Sequence, residues 1–144
     1  MTSWACFKDP RFDLLLEYPH FGTDGESVEQ IDTGQGEVLR VHIRTPKSRE
    51  IYFEISRYRT LPAGVEYHQY KENLKKRFPK LRMTGLTKTS LADLPAYHYS
   101  FEWEFGSRTV ILVERCEALY RILFNPDHAI NLQILASLRW LNRD

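Results

Sequence analysis

The side chains of this chain best suited to chemistry are a pair of carboxylates, a row of basic residues and a lysine-rich stretch. Glu102 and Glu104 stand two apart in an alternating run, so on one strand face they sit about 7 Å from each other, a separation compatible with paired-carboxylate hydrolysis. A plainer use is available. Alternate polar residues cover the second face of a sheet, and Glu102 is placed to meet Arg121 of a later strand as a cross-strand ion pair. Arg40, His42 and Arg44 make a second polar row. They face solvent, or a further layer covers them and pairs them with acids, because an unpaired buried charge is costly. A groove there is the preferred place for a small ligand. Lys75, Lys76 and Lys80 belong to KENLKKRFPKLR, whose outer face could bind nucleic acid, anionic lipid or an acidic protein, although such lysines are usually only solvated.

Other reactive patterns fail on spacing. The histidines at 20, 42, 68, 98 and 128 include no HExxH and no i, i+4 pair on a helix, so no zinc site is expected. Gly22-Thr23-Asp24-Gly25 and Gly34-Gln35-Gly36 lack the strand-to-helix setting and the lysine of a phosphate loop, and read as turns. No GxSxG elbow occurs. Cys6 and Cys116 are far apart and outside any CxxC; they are expected to be reduced, buried thiols. No catalytic residue, metal or cofactor is assigned.

A chain of 144 residues has the common size of one domain, here 1–144, and can bury ~70% of its unfolded surface without disulfide or metal. No apolar run approaches the ~20 residues that span a bilayer. MTSWACFKDPRFD holds no signal h-region, so a cytoplasmic location is expected. The formal net charge of +1 argues against a nucleic-acid role, as does the lack of exposed aromatics interleaved with the lysines. Charge is unevenly spread, with a balance of −6 over residues 1–37 and +6 over residues 71–88. The two segments face each other or serve separate partners.

Periodicity supplies the elements that must position these residues. Arg11 to Pro19 reads as a strand with Phe12, Leu14 and Leu16 on one face. The stretch from His20 to Glu37, rich in glycine and acid, reads as a loop. Val38 to Thr45 and Ile51 to Arg59 alternate on either side of Pro46-Lys47-Ser48-Arg49 and form a hairpin. After Leu61-Pro62, Tyr67, Tyr70, Leu74, Phe78 and Leu81 recur three or four apart, which predicts an amphipathic helix with a basic outer face, ending before Pro79. From Met83 the chain reads as irregular. Then Tyr97, Tyr99, Phe101, Trp103 and Phe105 share a strand face, Gly106-Ser107 turns, and Thr109 to Glu114 returns. With Arg115, Cys116 and Glu117 as the next loop, Ala118, Tyr120, Ile122 and Phe124 rejoin the aromatic face of a three-strand meander. Asn125-Pro126 then opens a closing helix carrying Ile130, Ile134, Leu138 and Leu141 inward. The fold class is α+β around an antiparallel sheet.

The element order and three phrases, FDLLLEYPHFG, TSLADLPAYHYSFEWEFGSRTVILVERCEALYRILFNP and INLQILASLRWL, resemble the PsbP/Mog1-like superfamily. The likeness covers nearly the whole chain. It departs from the family pattern at Leu94, where a glycine often stands, and after Tyr18-Pro19, where a tryptophan often follows. The resemblance implies an α/β/α sandwich with a central antiparallel sheet, and members that act as accessory, assembly or binding proteins rather than enzymes. It carries over no functional residue. Three readings follow in order of support: a non-enzymatic module that binds another protein; a small-molecule binder or enzyme on the polar sheet face around Glu102 and Arg121; and a polyanion binder using Lys75, Lys76 and Lys80.

Overall fold

The computed structural model describes residues 3–10, 13–20, 27–31, 37–44, 52–59, 62–104 and 106–141, with backbone alone for 3, 9, 19, 20, 27–31, 37–44, 52 and 59. In chain order the strands are β1 (Ser3–Asp9), β2 (Leu14–His20), β3 (Ser27–Ile31), β4 (Glu37–Arg44) and β5 (Tyr52–Arg59). Helix α1 (Ala63–Arg77) follows, then β6 (Arg82–Met83), β7 (Thr87–Leu91), β8 (Leu94–Trp103), β9 (Gly106–Arg115), β10 (Ala118–Phe124), α2 (Ala129–Ala136) and β11 (Arg139–Trp140). The large sheet has the order β3-β4-β5-β10-β9-β8-β6, with β7 also paired to β8, and β1-β2-β11 form a small second sheet. All pairings are antiparallel. The predicted 38–59 hairpin is present as β4 and β5, whereas its turn, Phe12 and Phe105 lie outside the described residues.

The large sheet is covered on both sides, which explains why every described position of β10 is buried. One face carries Tyr99, Phe101, Val110, Leu112, Leu119 and Leu123 and packs on Tyr67 and Leu74 of α1. The other carries Phe53, Ile55, Val113, Tyr120, Ile122 and Phe124 and packs on Leu14 and Leu16 of the small sheet and Ile134 of α2. Burying each such aliphatic or aromatic side chain is worth roughly 1.5–3 kcal/mol, so two apolar faces on one sheet require two covering layers. The result is the expected α/β/α sandwich, with the small sheet sharing the third layer with α2.

Several sequence expectations are corrected. The acidic stretch 20–37 contains strand β3, and the segment after Met83 contains β7. Both owe their pairing to a neighbouring strand edge rather than to their own alternation: β7 is exposed at four of five positions. Gly106 and Ser107 belong to β9, because Trp103 pairs with Gly106 and leaves two positions between. The C-terminal helix begins at Ala129 rather than at Pro126. Asn125 instead forms a turn, its Oδ1 accepting from the Asp127 amide and its carbonyl accepting from Asn131 Nδ2. The same helix stops at Ala136, where the Ser137 hydroxyl shares its one proton between the Ile134 carbonyl at 2.6 Å and the Glu17 carbonyl at 3.2 Å and accepts from the Glu17 amide. That side chain draws the chain off the helix and into register beside β2.

The largest correction concerns faces. Arg115 pairs with Ala118, so the loop between β9 and β10 is the two residues Cys116 and Glu117, not three. Losing one loop residue inverts the side-chain parity of the whole following strand. Ala118, Tyr120, Ile122 and Phe124 therefore lie opposite the aromatic face, and Leu119, Arg121 and Leu123 share it.

Candidate functional site

The parity change separates the first predicted pair. Glu102 is exposed and lies opposite Ser107, on the face away from Arg121. Arg121 points instead beneath α1. Its Nη1 donates to Glu66 Oε1 at 3.0 Å, and its Nη2 lies 3.5 Å from Glu54 Oε1, all three side chains being at most 9% exposed. The guanidinium also stands over the rings of Tyr70 and Tyr58, 4.8 and 5.4 Å from their centroids. Burial alone would lower the Arg121 pKa, yet the tyrosines and the two carboxylates hold it above its ordinary value. Burial likewise pushes the hydroxyls of Tyr70 and Tyr99 above the usual phenol range. The register sets Arg40 opposite Ser56, His42 opposite Glu54 and Arg44 opposite Tyr52, so the second predicted row borders this cluster along the backbone. Its side chains lie outside the described residues. The cluster acts as a clasp between sheet and helix: a paired, hydrogen-bonded ion group that fixes where α1 sits.

A second tie holds the start of α1. Pro62 at the helix N-cap has no side chain able to cap, and Glu114 of β9 substitutes, its Oε1 accepting from the Ala63 amide at 2.8 Å. A carboxylate at that end also opposes the positive pole of the helix.

Glu114 is one wall of the cleft that stands out in the structure. This depression of about 810 Å³ runs between the β7–β8 and β9–β10 turns and is closed from the small-sheet side by Arg139 and Trp140. Its floor and rim include Leu94, Pro95 and Tyr97. Arg115 is anchored below it, ion-paired with Asp13 and stacked 4.8 Å from the Trp140 ring centroid. Burial opposes the Arg115 charge, and the hydrogen bond and charge of Asp13 overcome it, leaving its pKa raised. Trp140 Nε1 is buried with no hydrogen-bond partner among the described residues, and Arg139 Nη1 donates to the carbonyls of Ala136 and Leu138.

Both turns flanking this cleft are two-residue hairpin loops with positive φ at each central position: 47° at Ala92 and 71° at Asp93, 51° at Cys116 and 61° at Glu117. That geometry favours Asn-Gly. A left-handed conformation costs roughly 1–2 kcal/mol for a residue with a Cβ, Asn and Asp being more tolerant, and such strain gathers at functional positions. Asp93, Cys116 and Glu117 are exposed, so packing does not hold them in place. No sequence motif announced this cleft. The short gap after the regular run of β9 was the available signal, and neither turn has the Asn-Gly that makes such gaps conspicuous. The expectation of two buried thiols is corrected as well: Cys6 lies on the outer face of β1 and Cys116 in a turn, both exposed and not joined to each other.

The remaining predicted residues fall around another depression. Lys75, Lys76 and Lys80 are exposed at and beyond the end of α1, and Lys80 shares a lining with Glu102 and Glu104. Glu104 lies beyond the end of β8, in the turn, so the two glutamates are not neighbours on one strand face. Among the described residues no group of three or more His, Cys, Asp or Glu side chains could hold a metal ion. No described helix is long and apolar enough to cross a membrane.

This architecture is that of the PsbP-like fold. The solution structure of the cyanobacterial PsbP, CyanoP, from Synechocystis sp. PCC 6803 matches it with a TM-score of 0.68, covering 97% of this chain and 94% of that one at 7% sequence identity. A Pseudomonas aeruginosa protein of unknown function, PA94, matches with a TM-score of 0.40 and 15% identity over 86% of this chain and 84% of its own, too distant to support an argument. No family model and no curated protein sequence matches the chain. At these identities the likeness concerns the fold alone.

Proposed function

We propose that the chain is a non-enzymatic accessory or binding module that acts through protein contacts at the cleft between the Ala92-Asp93 and Cys116-Glu117 turns. The observation that carries this reading is the concentration of left-handed, side-chain-bearing residues at one open cleft. Exposed side chains there are held at a cost to the backbone that the fold alone does not demand, since Asn-Gly would close both hairpins more easily. The surroundings suit a polypeptide partner: Tyr97 and Trp140 supply aromatic surface, and Leu94 and Pro95 apolar surface. The PsbP-like fold agrees with such a role. The polar sheet face is less suited to a small ligand, because α1 covers Arg121 and two carboxylates engage it.

The test is site-specific photo-crosslinking. A photoreactive residue replaces Tyr97 in the cleft or, as a control, exposed Gln69 on α1. Crosslinking of one defined protein from position 97, absent from position 69 and lost with Trp140→Ala, is expected. Equal labelling from both positions, or no protein captured from position 97 under native conditions, would reject the cleft as the contact surface.

A further inference from the structure

We propose a second docking surface, distinct from the cleft of the preceding section: the depression at the end of α1 binds an acidic peptide segment through one apolar anchor side chain. The depression measures about 550 Å³, room for one or two side chains rather than for a folded surface. Its floor is apolar. Phe78 and Trp103 meet edge to face with centroids 4.8 Å apart, and Pro79 and Leu81 complete the lining. The local sequence builds it: Pro79 cannot continue the helix, so the chain turns at Phe78 and lays Leu81 back under it, the Leu81 amide donating to the Phe78 carbonyl.

Charge identifies the occupant. Arg77, Lys80 and Arg82 line this depression, and Lys75 and Lys76 stand in the last turn of α1 that leads to it; all five are exposed, and none has an ion-pair partner among the described residues. Arg77 stands over the Phe78 ring, 5.5 Å from its centroid. Strand β3, with its one acid Glu29, occupies the opposite edge of the large sheet from β6, so that strand does not neutralise the cations. Cations outnumber acids in the lining, Arg77, Lys80 and Arg82 standing against Glu102 and Glu104, and a net positive rim around an apolar floor suits a polypeptide that places carboxylates beside a hydrophobic residue. Glu102, which stands opposite Arg82 in the strand register, and Glu104 also line the depression and oppose a continuous phosphodiester chain, which a peptide with spaced carboxylates can avoid.

A random dodecapeptide library displayed on phage tests this without an identified partner. Selection on the whole chain should enrich peptides that join two or more Asp or Glu residues to an aromatic or large aliphatic residue. A synthetic peptide of that consensus should bind at least tenfold more weakly to Lys75→Glu/Lys80→Glu and to Trp103→Leu. The charge variant alters only exposed side chains and keeps the test decisive if Trp103→Leu folds poorly. Trp140→Ala should leave this affinity unchanged, which separates the result from the fate of the first cleft. No enrichment, enrichment without acids, affinity indifferent to the charge reversal, or tighter binding of a single-stranded oligonucleotide that displaces the peptide would each overturn the proposal.

Discussion

Replacing Cys116-Glu117 by Asn-Gly should stabilise the chain, because the turn already holds the backbone that Asn-Gly prefers. The φ values of 51° and 61° place both residues in a region that costs a residue with a Cβ roughly 1–2 kcal/mol. Asn tolerates that region and Gly incurs no steric cost there, so relief from the two positions comes to about 2–3 kcal/mol. Glycine returns about 0.5–1 kcal/mol through the extra freedom of the unfolded chain. The exposed side chains of Cys116 and Glu117 remove little packing when they go. The net expectation is a gain of about 1–2 kcal/mol, or an increase of roughly 3–7 °C in the melting midpoint for a domain of this size. Guanidinium unfolding followed by tryptophan emission would measure it, with the midpoint raised and the denaturant slope unchanged. An unchanged or lowered midpoint at constant slope would show that the turn is not strained, and would remove the observation on which the proposed function rests. The same variant should lose crosslinking from position 97 if the strained side chains serve the partner.

Three further outcomes follow from the clasp and from the helix start. Arg121→Met leaves Glu54 and Glu66 buried without their shared cation and should cost about 3–5 kcal/mol; adding Glu54→Gln and Glu66→Gln should recover most of that loss in the same unfolding assay, and a single-variant cost under about 1 kcal/mol would mean the cluster is solvated. The raised pKa values of Tyr70, Tyr99 and Tyr120 favour the neutral phenols in the folded state, burial being the main cause in each. Their contribution is complete below the unfolded value of 10.0 and is lost as pH rises through the higher folded values. Stability should therefore decline above about pH 10, with part of the phenolate absorbance appearing only together with unfolding; full tyrosine ionisation in a still-folded chain would contradict this. Glu114→Ala removes the acceptor for the Ala63 amide and should cost about 1 kcal/mol, with the first turn of α1 losing amide-exchange protection before the rest of the helix.

What the residues could declare for themselves was local. The alternation of Tyr97, Tyr99, Phe101 and Trp103 marked β8, the three- and four-residue spacing of Tyr67, Tyr70 and Leu74 marked α1, and Pro79 marked its end. The phrases quoted for the PsbP/Mog1-like resemblance pointed to the fold that the structure shows. Relations between elements were a different matter. A β-strand reports which residues share its own face, but the face that meets the next strand depends on whether the loop is odd or even. Counting Arg115 into that loop sent Tyr120 to the wrong side and drew Glu102 towards Arg121. Only the ladder pairing Arg115 with Ala118 decides the matter. Strands β3, β7 and β11 were equally hidden, since short or exposed segments become strands through the edge they join. Both clefts are tertiary for the same reason. Their walls come from turns and helix ends distant in sequence, and the positive φ values at Ala92, Asp93, Cys116 and Glu117 are imposed by the two-residue closure of flanking strands, against the preference of the residues that occupy it.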